Sequence, residues 1–104
     1  MTTKKKTKAM KFLDKAIGSP MTFGSNIEAI RLADSISQVA FAKKLGISQA
    51  HLSQIEKGIK SVSPERAKKF AQILGYSEVT FVELALRDQF KKSGIKMIIH
   101  LEAA

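Results

Sequence analysis

Two glutamines, Gln49 and Gln54, stand in a stretch whose other outward residues are short or polar: Ala50, His51 and Ser53. A glutamine amide carries a donor and an acceptor side by side. It can therefore pair bidentately with the N6/N7 edge of adenine. Ala50 offers only an apolar surface, which suits a thymine methyl. Chemistry of other kinds lacks its residues. The chain has no cysteine, which removes disulfides, thiolate zinc sites, iron–sulfur clusters and cysteine nucleophiles. Its two histidines, His51 and His100, fall in different elements. No HExxH, phosphate-cradling glycine loop or GxSxG text is present. Asp14, Asp34 and Asp88 are scattered, whereas a metal-dependent nuclease needs clustered acids. The expectation is a protein that is not an enzyme and holds no metal or cofactor.

The glutamines need a rigid support, and the flanking text supplies one. Apolar Phe41, Leu45, Ile47, Leu52 and Ile55, with small Ala42 among them, surround Gly46-Ile47-Ser48. That spacing fits two short helices meeting at about 90–120° through a three- to four-residue turn. Ala42 permits close approach, Gly46 relieves the backbone at the turn, and Ile47 plugs the corner. Leu52 and Ile55 fix the second helix to the core and leave Gln49, Ala50, His51, Ser53 and Gln54 in front. Such a front suits a major groove. The remaining text predicts three more helices. Thr22 caps one running to about Asp34, Ser63-Pro64-Glu65 opens another that ends before Gly75, and Ser77 caps a fifth reaching about Lys92. The pair around Gly46 is capped by Ser37 and Ser48, and its second helix spans Gln49 to about Lys57.

The text ISQVAFAKKLGISQAHLSQIEKG, Ile36–Gly58, resembles the Cro/phage-repressor (xenobiotic-response-element, XRE) type of helix-turn-helix family. The wider likeness covers about Phe23–Phe90 and implies an all-α, five-helix, lambda-repressor-like DNA-binding domain. By that resemblance Gln49, Ala50 and Gln54 would face base edges, and Gln38 would bond a phosphate. His51 and Ser53 would flank the sugar-phosphate. The loop Lys57–Ser61, with Lys60 as its charge, would grip the backbone. Arg31 and Glu56 would form a buried structural ion pair. Lys43 and Lys44 read either as a solvated face or as phosphate contacts, with Lys43 placed among the backbone contacts. Read more widely, the stretches MTFGSNIEAIRLADSISQVAFAKKLGIS, VSPERAKKFAQILGY and FVELALRDQ resemble bacterial repressors encoded beside a small toxin. The implied function is a sequence-specific transcriptional repressor. One helix reads only a few base pairs, so useful specificity asks for a dimer on a palindrome, its reading helices about 34 Å apart. The front carries no Arg or Lys, which favours A·T steps over guanine.

Charge agrees with an anionic partner. The 104 residues hold 18 Lys+Arg against 9 Asp+Glu, a formal net charge of +9. The surplus is greatest at the N-terminus, where Lys4, Lys5, Lys6, Lys8, Lys11 and Lys15 face only Asp14. Residues 1–21 read as a basic extension with a short helix over Ala9–Ile17, residues 22–92 as the DNA-binding domain, and residues 93–104 as a tail. In that tail Ile95, Met97, Ile99 and Leu101 alternate along Ile95–Leu101, which predicts a short β-strand. An apolar strand must pair with something, so it is expected, with Phe81, Val82, Leu86 and Phe90, to form a homodimer contact. The rival reading is an antitoxin whose main task is to bind a toxin protein, with DNA binding autoregulatory. A weaker third is non-specific binding of nucleic acid through the lysine arm. No apolar run is long enough for a membrane span, and no apolar segment follows the N-terminal lysines as in a secretory signal. The expected place is the cytoplasm, on the nucleoid when bound to DNA.

Overall fold

The computed structural model describes residues 21–104. The lysine arm and the helix expected over Ala9–Ile17 lie outside the described residues. Among the described residues five α-helices follow one another: α1 Phe23–Ala33, α2 Gln38–Leu45, α3 Gln49–Glu56, α4 Pro64–Leu74 and α5 Glu78–Lys92. Each starts where a hydroxyl residue stands. Thr22, Ser37, Ser48, Ser63 and Ser77 accept the N–H of Ser25, Ala40, His51, Arg66 and Thr80 at 3.0–3.2 Å. Each cap satisfies one otherwise orphaned donor and is worth about 1 kcal/mol. Thr22 and Ser25 make a reciprocal capping box, in which the Thr22 N–H also donates to Ser25 Oγ at 2.9 Å. Gly46 closes α2 in the left-handed region, φ 77°, where a Cβ would be strained.

Phe23, Ile27, Ile30, Phe41, Leu52, Ile55, Phe70 and Phe81 fill the core. Phe23 meets Phe81 edge-on at 5.7 Å and Phe70 at 6.5 Å, so one aromatic trio ties α1, α4 and α5 together. Asp88 adds a polar tie: its Oδ2 accepts the Phe23 N–H at 3.0 Å across 65 positions of sequence. Burial pushes the Asp88 carboxyl above its ordinary range, while the Phe23 N–H and the nearby Lys91 and Lys92 pull it back.

α1 and α3 approach so closely that a Cβ on Gly24 would run into the backbone carbonyl oxygen of Ile55. A carbonyl cannot swing aside like a flexible side chain, so the helices would have to part. Gly24→Ala is expected to destabilise the domain by about 1–3 kcal/mol, the usual cost of overpacking. Urea unfolding would show it as a lowered midpoint at unchanged m-value. A midpoint equal to the wild type's would mean that the two helices are not held this tightly.

Two expectations are corrected. Residues 95–104 hold no β-strand; among the described residues the chain is all-α. Gly94, at φ 74°, turns the backbone after α5, and the Ile95 N–H donates to the Phe90 carbonyl at 2.9 Å. The tail then runs irregularly, with Met97 72% and Ile98 96% exposed and only Ile99 and Leu101 half-buried. A lone strand has no ladder to join among the described residues, whose regular elements are all helices. Phe81, expected at a dimer contact, is 0% exposed. It sits in the first turn of α5, facing Phe23 and Tyr76, and is core. Val82, Leu86 and Phe90 are half-buried on the same helix.

Candidate nucleic-acid interface

Helix α3 is held from behind. Leu52 and Ile55 face inward and are fully buried. The Ile47 N–H donates to the Ala42 carbonyl at 3.0 Å, so the corner residue is pinned to α2 through its backbone. Gln49 and Ala50 are exposed on the opposite side, and His51, Ser53 and Gln54 are half-buried. Lys57, Lys60 and Ser61 are exposed in the segment after α3, and Lys43 is exposed on α2. That segment folds back on the helix: the Ile59 and Lys60 N–H groups both donate to the Gln54 carbonyl, at 2.9 and 3.2 Å.

A polar chain joins the core to the front. Arg31 Nε donates to Glu56 Oε2 at 2.8 Å and its Nη2 to Oε1 at 3.1 Å. A third donation, from Nη1, reaches the Ile36 carbonyl at 3.0 Å. The two side chains are 11% and 3% exposed, so this is a buried bidentate pair. The bond to Glu56 holds the Arg31 guanidinium above its ordinary value against the opposing effect of burial. Gln38 Nε2 also donates to Glu56 Oε1, at 2.9 Å. Gln38 Oε1 in turn accepts from Gln49 Nε2 at 2.9 Å. The Gln49 amide is thereby oriented, with its oxygen and second N–H left for an outside partner. Gln38, expected from sequence to meet a phosphate, is here bonded to Glu56 and Gln49: one amide hydrogen goes to Glu56 and the other remains. Sequence spacing gives no signal for this relay, because Gln38, Gln49 and Glu56 converge only once the two helices cross.

Burial lowers the His51 pKa below its usual value, and Arg66 and Lys60 add to the effect. Ser61 Oγ accepts from Lys92 Nζ at 2.9 Å, a contact between residues too far apart in sequence to be foreseen. Among the described residues no three His, Asp or Glu side chains gather as a metal site, and no helix is long and apolar enough to cross a membrane.

Two helices crossing at a glycine turn, with a braced polar face on the second, define a helix-turn-helix DNA-binding domain. The helix-turn-helix family model matches residues 27–81, more than half of the chain, and the protein belongs to this family, in its Cro/phage-repressor (XRE) type. It is a DNA-binding regulator of the XRE kind. No curated protein and no solved structure gives a match.

Proposed function

We propose that this regulator is a dimeric, sequence-specific repressor that lays α3 in the major groove of a palindromic operator. Gln49, Ala50 and Gln54 read bases. Gln38, Lys43, His51, Ser53, Lys57, Lys60 and Ser61 hold the backbone. The observation that carries this reading is the Gln49 amide, exposed toward solvent yet fixed through Gln38 to the buried Arg31–Glu56 pair. Pre-oriented donors lose less freedom on binding than floppy ones. The dimer contact is assigned to Val82, Phe90, Ile95, Met97, Ile99 and Leu101. Its support is the apolar exposure of Ile95, Met97 and Ile98, which water does not favour. The same exposed tail supports the second reading, an antitoxin that offers it to a toxin protein. Deleting Ile95–Ala104 separates the two: loss of dimers supports the first, loss of toxin capture by an intact dimer the second.

The test of the main reading is selection of bound duplexes from a random pool. An inverted repeat containing A·T steps is expected. A pool that stays random would overturn it in favour of non-specific binding.

A pH effect follows from His51. Free, its pKa is lowered, so at pH 7 the ring is neutral. A phosphate beside it would favour the charged ring, raising its pKa in the complex. Affinity should therefore climb as pH falls from 7 and level off below the free protein's depressed value. Duplex titrations between pH 7.5 and 5.5 should show the climb in the wild type and a flatter profile in His51→Gln. Parallel profiles would place His51 away from phosphate.

A further inference from the structure

A cleft of about 290 Å³ lies between the start of α1, the segment after α3 and the end of α5. Lys60, Lys91 and Lys92 line it, together with Ser61 and Asp88. Asp88 is committed to the Phe23 N–H. Among the described residues the ion pairs are Arg31–Glu56 and Arg87–Glu83, so none of these three lysines is neutralised by a carboxylate in direct contact. All three are exposed. Three ammonium groups, none in direct contact with a carboxylate, therefore share one cleft with the loop that leaves α3, and the single Asp88 carboxyl near Lys91 and Lys92 offsets only part of their charge.

We infer that the last turn of α5, through Lys91 and Lys92, is a second phosphate-binding ridge that extends the DNA footprint beyond the helix-turn-helix. The inference rests on the reading of α3 as the groove helix, because that reading brings the Lys57–Ser61 loop to the sugar-phosphate strand. The key geometry is the 2.9 Å bond from Lys92 Nζ to Ser61 Oγ. Ser61 accepts in that bond, so its own O–H is free to donate onward. A phosphate oxygen taken at ordinary hydrogen-bond length by Ser61 stands within roughly 6 Å of the Lys92 ammonium. Attraction to a phosphate at that range is substantial near a protein surface. The donated Lys92 hydrogen bond also polarises the serine hydroxyl, making it a better donor. Lys91, one residue earlier, and Lys60, across the cleft, bracket the same strand. Bound phosphates would exchange their condensed counterions for these lysines.

The test uses the full chain and two duplexes, the one selected from the random pool and a scrambled one. Lys91→Ala/Lys92→Ala is compared with Lys68→Ala/Lys69→Ala, which removes equal charge from the exposed face of α4. Taking away one lysine–phosphate pairing lowers the salt slope by about 0.9. The α5 double variant should fall by nearly twice that on both duplexes, leave their affinity ratio unchanged, and melt like the wild type. The α4 double variant should change the slope less. A slope equal to the wild type's, or a change no larger than the α4 variant gives, overturns the ridge. Failure of the α3 reading looks different: the wild type itself would not distinguish the duplexes, whatever its salt slope.

Discussion

Glu56→Ala is expected to cost the domain about 3–5 kcal/mol, the effect of breaking a buried ion pair from one side. The side chain is 3% exposed and accepts three hydrogen bonds, two from Arg31 and one from Gln38. Removing it leaves the Arg31 guanidinium buried with a single remaining acceptor, the Ile36 carbonyl. A small domain holds only about 5–15 kcal/mol in total, so Glu56→Ala should stand near the edge of unfolding at physiological temperature. Urea or thermal unfolding measures this directly. The loss should be mainly the penalty of an orphaned charge. Replacing both partners by apolar residues, Arg31→Met with Glu56→Leu, should therefore recover much of the stability while losing the anchor for Gln38. If Glu56→Ala unfolds within 1 kcal/mol of the wild type, the pair is not holding α1 and α3 together.

The five helices are legible in the sequence because their boundaries are written locally. Ser37, Ser48, Ser63 and Ser77 cap as expected, and Gly46 and Gly75 stop α2 and α4 in the left-handed region. The buried spacing of Phe41, Leu45, Leu52 and Ile55 is equally readable from helical period. What escapes is non-local. The Gly24 contact with Ile55, the Asp88 tie to Phe23 and the Lys92–Ser61 bond each join distant segments, and no pattern in a single sequence announces them. Phe81 is misassigned from sequence for a related reason: apolar spacing on α5 does not say which apolar residue faces the core and which faces a partner. The expected strand does not form: Ile95–Leu101 has β-branched composition but, among the described residues, no neighbouring strand, and composition alone does not supply a ladder. Buried Asn26, whose amide has no hydrogen-bond partner among the described residues, is equally silent in the sequence.

The largest expected effect on function belongs to Gln49→Ala/Gln54→Ala. Each bidentate base contact carries about 1–3 kcal/mol of discrimination, so the double variant should lose about 2–6 kcal/mol of preference for the selected duplex over a scrambled one. Its affinity for the scrambled duplex should hold, because the lysines proposed to meet phosphate are untouched. Its melting should hold as well, since Gln49 is exposed and Gln54 half-buried at the surface, where substitutions usually shift stability by less than about 0.5 kcal/mol. Gln38→Ala separates reading from orienting. It leaves both amides proposed to read bases in place but frees Gln49 Nε2 and takes one donor from Glu56. A partial loss of discrimination is expected, smaller than for Gln49→Ala, with a modest drop in stability. In the Gln49→Ala background the further change Gln38→Ala should cost little discrimination, because the amide it orients is already gone. Additive losses would show that Gln38 meets the duplex independently. An unchanged preference in Gln49→Ala/Gln54→Ala would remove α3 from the groove altogether.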